Sequence, residues 1–152
     1  MTLIEKVASG GQTGADRAAL GFAIERGIPH GGWCPKGRLG EDGPIDLCYQ
    51  LNEMLSGTYA ERTEWNVGDS DGTVVFSIAA ALTGGSKKTV QFAHKHQKPV
   101  LHVSRSRGPV SREMEQVQFI REHHIRVLSV AGLRASREPE VAAFVKATLH
   151  AL

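Results

Sequence analysis

The chain has 152 residues, 41% hydrophobic and 22% charged, with a formal net charge of +2. That is long enough to bury a core without metal or disulfide staples, and the balance is ordinary for a globular protein. The charge is too small for an electrostatic nucleic-acid or membrane-surface binder. No apolar run approaches the ~18 residues of a membrane span, and no long apolar leader opens the chain. One cytoplasmic domain over residues 1–152 is therefore expected. Cys34 and Cys48 match no zinc spacing and are expected as reduced thiols.

Lys6 to Gly27 reads as strand, glycine loop and helix. Gly10, Gly11, Gln12, Thr13 and Gly14 form the loop, and Asp16 enters the helix. Leu20, Ala23 and Ile24 share a helix face, and Gly27 stands where a stop belongs. Such a loop presents free N–H groups at a positive dipole end, which favours an anion, commonly a phosphate. The spacing G-G-x-x-G is neither the dinucleotide fingerprint nor a P-loop, so a tight turn without ligand stands beside that reading.

From His30 to Gly72 the chain is loop-rich, with Gly32-Trp33-Cys34 as a short strand. Lys36 and Arg38 follow as available anion donors or as ordinary solvated charge, and Trp33 offers a flat face. Arg62 to Val67 reads as a short helix packing Trp65 and Val67. Asp69 and Asp71 read as turn chemistry before catalysis, and no further ligands stand near enough for a metal.

Thr73 to Ser77 is a strand, followed by a second glycine loop. Thr83, Gly84 and Gly85 lead into Ser86, the expected N-cap of a helix reaching about His96 and stopped by Pro99. Lys87 and Lys88 oppose the dipole there, which makes more sense with an anion beside them; two exposed lysines remain the alternative. Thr89 closes this turn.

Pro99 to Val103 is a third strand. Met114, Val117, Ile120 and Arg121 begin a helix face, with His123 and His124 as structural residues at its end. Ile125 to Ala131 is a fourth strand, running into the loop Gly132 to Ser136 with Arg134. Pro139 fits the first turn of a last helix, with Val141, Phe144, Val145, Leu149 and Leu152 on one face.

Strands alternate with helices, and the strands are continuous apolar runs. This predicts an α/β fold, a parallel sheet with helices on both faces. The three glycine loops would then share the rim at the carboxyl ends of the strands, where such sheets bind ligands.

Ser9 to Asp16, Trp33 to Arg38, Glu41-Asp42-Gly43, Asn66-Val67, Asp69 to Gly72, Leu82 to Gly85 and Val130 to Gly132 together resemble the molybdenum cofactor carrier family across nearly the whole chain. That family is similar in fold to phosphoribohydrolases once labelled lysine decarboxylases. The resemblance implies a Rossmann-like fold, homo-oligomers (dimer or tetramer), the molybdenum cofactor (molybdopterin) as bound ligand, and molybdoenzymes as recipients. On that reading a phosphate suits Gly10 to Gly14 or Thr83 to Thr89, a pterin edge suits Asn66 or Asp69, and the oxo-metal group suits Lys36, Arg38 or Arg134. The family's Gly-Pro-Arg reads Gly132-Leu133-Arg134 here.

Two alternatives accompany the carrier: a nucleotide phosphoribohydrolase and a sensor of a nucleotide-derived signal. The hydrolases carry Pro-Gly-Gly-x-Gly-Thr-x-x-Glu, and laid on this chain from Thr83 its glutamate falls on Gln91. An amide can hold a ligand, but it cannot move a proton. No catalytic residue is assigned, although Asp16 or Glu41 would have to substitute if the chain were an enzyme.

Overall fold

The computed structural model describes residues 3–55, 58–106 and 111–152. In chain order the elements are β1 (Lys6–Ala8), α1 (Ala15–Arg26), β2 (His30–Gly31), β3 (Trp33–Cys34), β4 (Leu39–Gly40), β5 (Gly43–Pro44), β6 (Asn52–Glu53), α2 (Tyr59–Gly68), β7 (Gly72–Ser77), α3 (Gly84–Lys95), β8 (Val100–Ser104), α4 (Arg112–Glu122), β9 (Val127–Gly132) and α5 (Val141–Leu149). The main sheet is parallel throughout, in the order β2-β1-β9-β7-β8. The expected Rossmann-like α/β architecture is what forms.

Period-two alternation sorts the strand side chains to two faces. Val7, Val74, Phe76, Leu128 and Val130 point into the main apolar cluster with Phe22 of α1, Phe119 and Ile120 of α4, and Phe144 and Val145 of α5. α1, α4 and α5 make one layer; α2 packs on α3 in the other. β7 is buried at every residue, which suits the apolar Val74-Val75-Phe76 at its centre.

Several boundaries differ from the sequence reading, each for a local reason. α3 starts at Gly84 with Thr83 as N-cap, so Ser86 lies inside the first turn. α2 starts at Tyr59, where Thr58 accepts from the Glu61 N–H. Its Val67 is buried as expected, but Trp65 is 47% exposed and stands edge-on to Trp33. In α4 the buried face is Gln116, Phe119 and Ile120, and Met114 faces solvent. Pro139 precedes α5, whose first residue is Val141. Both cysteines are free, and α1 stops at Gly27 in the left-handed conformation.

The loop-rich stretch is not without structure. β3 pairs with β6 and β4 with β5, which folds residues 38–51 over the start of α1.

Candidate functional site

A cavity of about 380 Å³ opens at the carboxyl ends of β1, β9 and β7. Ser129 to Gly132 of β9 form its floor. Gly10, Gln12 and Asp16 wall it from the β1 side, and Gly84 to Ser86, Lys88 and Thr89 from the β7 side. α2 contributes Tyr59, Arg62 and Thr63, and the loop after β9 contributes Arg134 and Arg137. The place follows from topology: the chain leaves β1 toward one sheet edge and later returns through β7 and β9, which opens a crevice between the crossovers.

The two helix starts at this rim differ. At α3, a Cβ built on Gly84 or Gly85 would meet nothing within 4 Å. Among the described residues Thr83 makes no side-chain cap and the first turn holds no acidic residue, so the first-turn N–H groups have neither kind of support. Ser86 belongs to the cavity wall, and its buried hydroxyl has no hydrogen-bond partner among the described residues, while Thr89 donates to the Gly85 carbonyl at 3.0 Å. Lys88 lines the cavity; Lys87 does not.

At α1, protein fills the space. A Cβ on Gly11 would lie 2.5 Å from Leu51 Cδ1, and one on Gly14 would lie 2.6 Å from the Leu133 carbonyl. Both glycines have positive φ, 80° and 84°. Gln12 donates its side-chain amide to the Leu39 carbonyl. The Thr13 hydroxyl donates to Glu41 and accepts from the Ala135 N–H. Gly11 and Gly14 are thus glycines for turning and close packing.

Gly10 serves a side chain. A Cβ there would fall 1.4 Å from Arg62 Nη1, so the guanidinium lies against the glycine. Arg62 reaches the Asp16 carboxylate at 3.4 Å, and the same oxygen accepts from the Gln12 N–H at 3.3 Å. Burial pushes the Asp16 carboxyl up, and the Arg62 charge opposes that push. Arg62 Nε is buried without a hydrogen-bond partner among the described residues. The Arg62 and Arg134 guanidinium carbons sit 5.9 and 5.4 Å from the Tyr59 ring centroid. Counting charged lining residues, Arg62, Lys88, Arg134 and Arg137 face Asp16 alone.

The sequence model of the circularly permutated YpsA SLOG family matches residues 7–152. The chain belongs to the circularly permutated YpsA SLOG family. A crystal structure of a "putative molybdenum carrier protein" from Syntrophus aciditrophicus SB is similar to it, with a TM-score of 0.92 at 46% identity, covering 98% of this chain and 94% of that chain. No curated protein matches. The carrier-family resemblance noted from the motifs is thereby supported.

Within this family fold, the residues singled out in the sequence divide. Gly10, Gln12, Asp16, Asn66, Gly84, Gly85, Ser86, Thr89 and Arg134 line one cavity. Trp33 and Asp69 line a separate groove with Glu64, Trp65 and His96, where the Trp33 ring N–H donates to Asp69 at 2.9 Å. Asn66 clamps the Trp33 backbone, accepting its N–H at 2.8 Å and donating to its carbonyl at 3.0 Å. Lys36 is exposed away from the cavity. Arg38 donates to the carbonyls of Ile45, Asp46 and Tyr49 and so holds the 38–49 loop. Thr83 takes the N-cap position of α3 without a side-chain hydrogen bond and is not in the cavity wall. Glu41 also lies outside it; the Ser136 hydroxyl and Thr13 lower its pKa by hydrogen bonding.

Sequence reasoning passed over Arg62, Tyr59 and Arg137 as site residues. A usable signal was present for Arg62: Tyr59, Arg62, Thr63 and Asn66 recur at i, i+3, i+4 and i+7, a polar face on a helix expected to pack.

Proposed function

We propose that the protein is a carrier that holds a phosphate-bearing small molecule in this cavity. The observation that carries the reading is the open start of α3 beside the orphaned Ser86 hydroxyl, in a wall that also presents Lys88. Free N–H groups, a positive dipole end and a buried donor all favour an oxyanion. The cavity's 380 Å³ falls in the usual ligand range of about 300–1,000 Å³.

The molybdenum cofactor, as cargo, fits this chemistry. Its phosphate suits Gly85 to Lys88, its flat pterin suits a place beside Tyr59 and Arg134, and its oxo-metal end suits Arg62. The relative's name, which refers to molybdenum, supports this cargo over an unrelated phosphate compound. In this role α2 and the loop after β9 shield the cargo, and molybdoenzymes in the cytoplasm receive it. A homo-oligomer is proposed with it, to be checked by light scattering.

The hydrolase alternative is weaker. Gln91 is exposed and outside the cavity wall, and the one carboxylate in that wall, Asp16, already binds Arg62. The test is mass spectrometry of gently purified protein, together with the fluorescence of oxidised pterin released on denaturation. A pterin at near one per chain is expected; a bound nucleotide in its place would overturn the cargo assignment.

A further inference from the structure

The turn of the β4–β5 hairpin, Glu41-Asp42-Gly43, lies outside the cavity wall. Gly43 closes the turn at a φ of 113°. Asp42 accepts from two Arg17 guanidinium nitrogens, and Arg17 Nε donates to the Gly11 carbonyl at 3.0 Å, which seats the hairpin on the start of α1. Glu41 reaches further. Its Oε2 accepts from the Ser136 hydroxyl at 2.6 Å and its Oε1 from the Ser136 N–H at 3.2 Å. Oε1 also accepts from the Thr13 hydroxyl, which in turn accepts from the Ala135 N–H at 3.1 Å. One carboxylate thus holds Ser136 directly and Ala135 through Thr13.

These two residues follow Arg134, which does line the cavity. The backbone there lies against Gly14, where a Cβ would fall 2.8 Å from the Ala135 nitrogen and 3.0 Å from the Arg134 carbonyl carbon. Beyond it, the Arg134 carbonyl accepts the N–H groups of Arg137 and Glu138 at 3.0 Å, and the Glu138 carboxylate accepts those of Ile78 and Ala79 after β7. The loop is therefore slung between two carboxylates, Glu41 and Glu138, neither of them in the cavity wall. From it the Arg134 guanidinium crosses to α2, 5.4 Å from the Tyr59 ring centroid. A long, exposed side chain keeps such a place only if its backbone is held, because rotamer freedom opposes the ordering.

We propose that Glu41 is a positioning residue: by holding Ala135 and Ser136 it aims Arg134 at the Tyr59 side of the cavity, and through Arg134 it sets the preference for a phosphate that carries a flat ring over phosphate alone. The proposal rests on the small-molecule site proposed above and adds to it a specificity-determining residue outside the wall.

Calorimetric titration with inorganic phosphate and with GMP tests this, since the base of GMP offers the flat ring and amino-oxo edge of a pterin. The readout is the ratio of the two affinities, and thermal melts check that each variant is folded. The parent should prefer GMP. Arg134→Ala should lower the ratio about three- to tenfold, the range of a cation–π contact. Glu41→Ala should lower it in the parent and change it no further in the Arg134→Ala protein, because the two act as one unit. Thr13→Val keeps the shape, removes one bridge and should give part of the loss. Asp42→Asn loosens the same hairpin away from the loop and should leave the ratio at the parent value. A parent without preference for GMP, a ratio unmoved by Glu41→Ala, or one moved equally by Asp42→Asn or in the Arg134→Ala background overturns the proposal while phosphate binding, and the site, stand. Binding of neither probe would overturn the site itself, and this proposal with it.

Discussion

Gly10→Ala separates a glycine kept for an arginine from one kept for a ligand. Gly10 is outside the positive-φ region, so alanine is compatible with its backbone. The added methyl would fall 1.4 Å from Arg62 Nη1 and 2.6 Å from its Cζ. Ordinary contact is about 3.5 Å, so the guanidinium must withdraw by roughly 2 Å. Arginine is flexible enough to do so, and the cost is therefore the lost seat and not a backbone clash. The Asp16 contact is one charge-assisted hydrogen bond worth about 1.5–3 kcal/mol, placed at the lower end by its length. Loss of the partner leaves a buried carboxylate that can relieve itself by protonation. A net loss of about 1–3 kcal/mol follows, and a chain of this size shifts its melting temperature by about 2–4 °C for each kcal/mol. Gly85→Ala is the counterpart. Its methyl meets nothing and sits in a helix, so stability should hold or rise by up to ~1 kcal/mol, while phosphate binding weakens as the methyl enters the cavity. Thermal melts and phosphate calorimetry on both variants decide the matter. A Gly10→Ala protein as stable as the parent would refute the view that Gly10 exists to seat Arg62.

Gly14→Ala should destabilise far more than Gly85→Ala, by over about 2 kcal/mol in urea melts, because its Cβ strikes the Leu133 carbonyl and the Ala135 nitrogen at a φ of 84°. Glu138→Ala should cost about 1–3 kcal/mol in the same assay, since the Glu138 carboxylate accepts the N–H groups of Ile78 and Ala79, which would be orphaned. Sulfate affinity should rise as pH falls: the folded Asp16 binds its proton more tightly than an unfolded aspartate, and once neutral it no longer competes for Arg62; Asp16→Asn should flatten that dependence in calorimetry. By the same linkage, this group's contribution favours folding below the ordinary aspartate range and fades as pH rises through its raised pKa. Incubation with AMP should release no free base by chromatography, because the position of the hydrolase glutamate is Gln91, exposed and outside the cavity; turnover abolished by Asp16→Asn would restore the enzyme reading.

The parallel sheet was legible because β7, β8 and β9 are apolar runs separated by helical patterns, and burial on both faces writes that pattern directly into sequence. At the second glycine loop a Cβ on Gly84 or Gly85 would meet nothing within 4 Å, so no packing contact explains these glycines. The first was misleading for a physical reason. A glycine marks a place where a Cβ cannot go, but composition does not say what occupies that space. Leu51 occupies it at Gly11, backbone at Gly14 and an arginine at Gly10; only the third touches the cavity's chemistry. Arg38 is a related case. Its charge suggests an anion, yet at φ 54° it spends its guanidinium on three carbonyls of its own loop, a tertiary arrangement without local periodicity. Arg62 was hidden because its role depends on a partner 46 positions away, Asp16, and on a glycine 52 away, and no window-based pattern joins them. The folded chain brings the three together beside an unsatisfied Nε. A cation held by an internal carboxylate at 3.4 Å is already desolvated and oriented, so an incoming anion need only outcompete Asp16 at a site whose ordering cost the fold has met in advance.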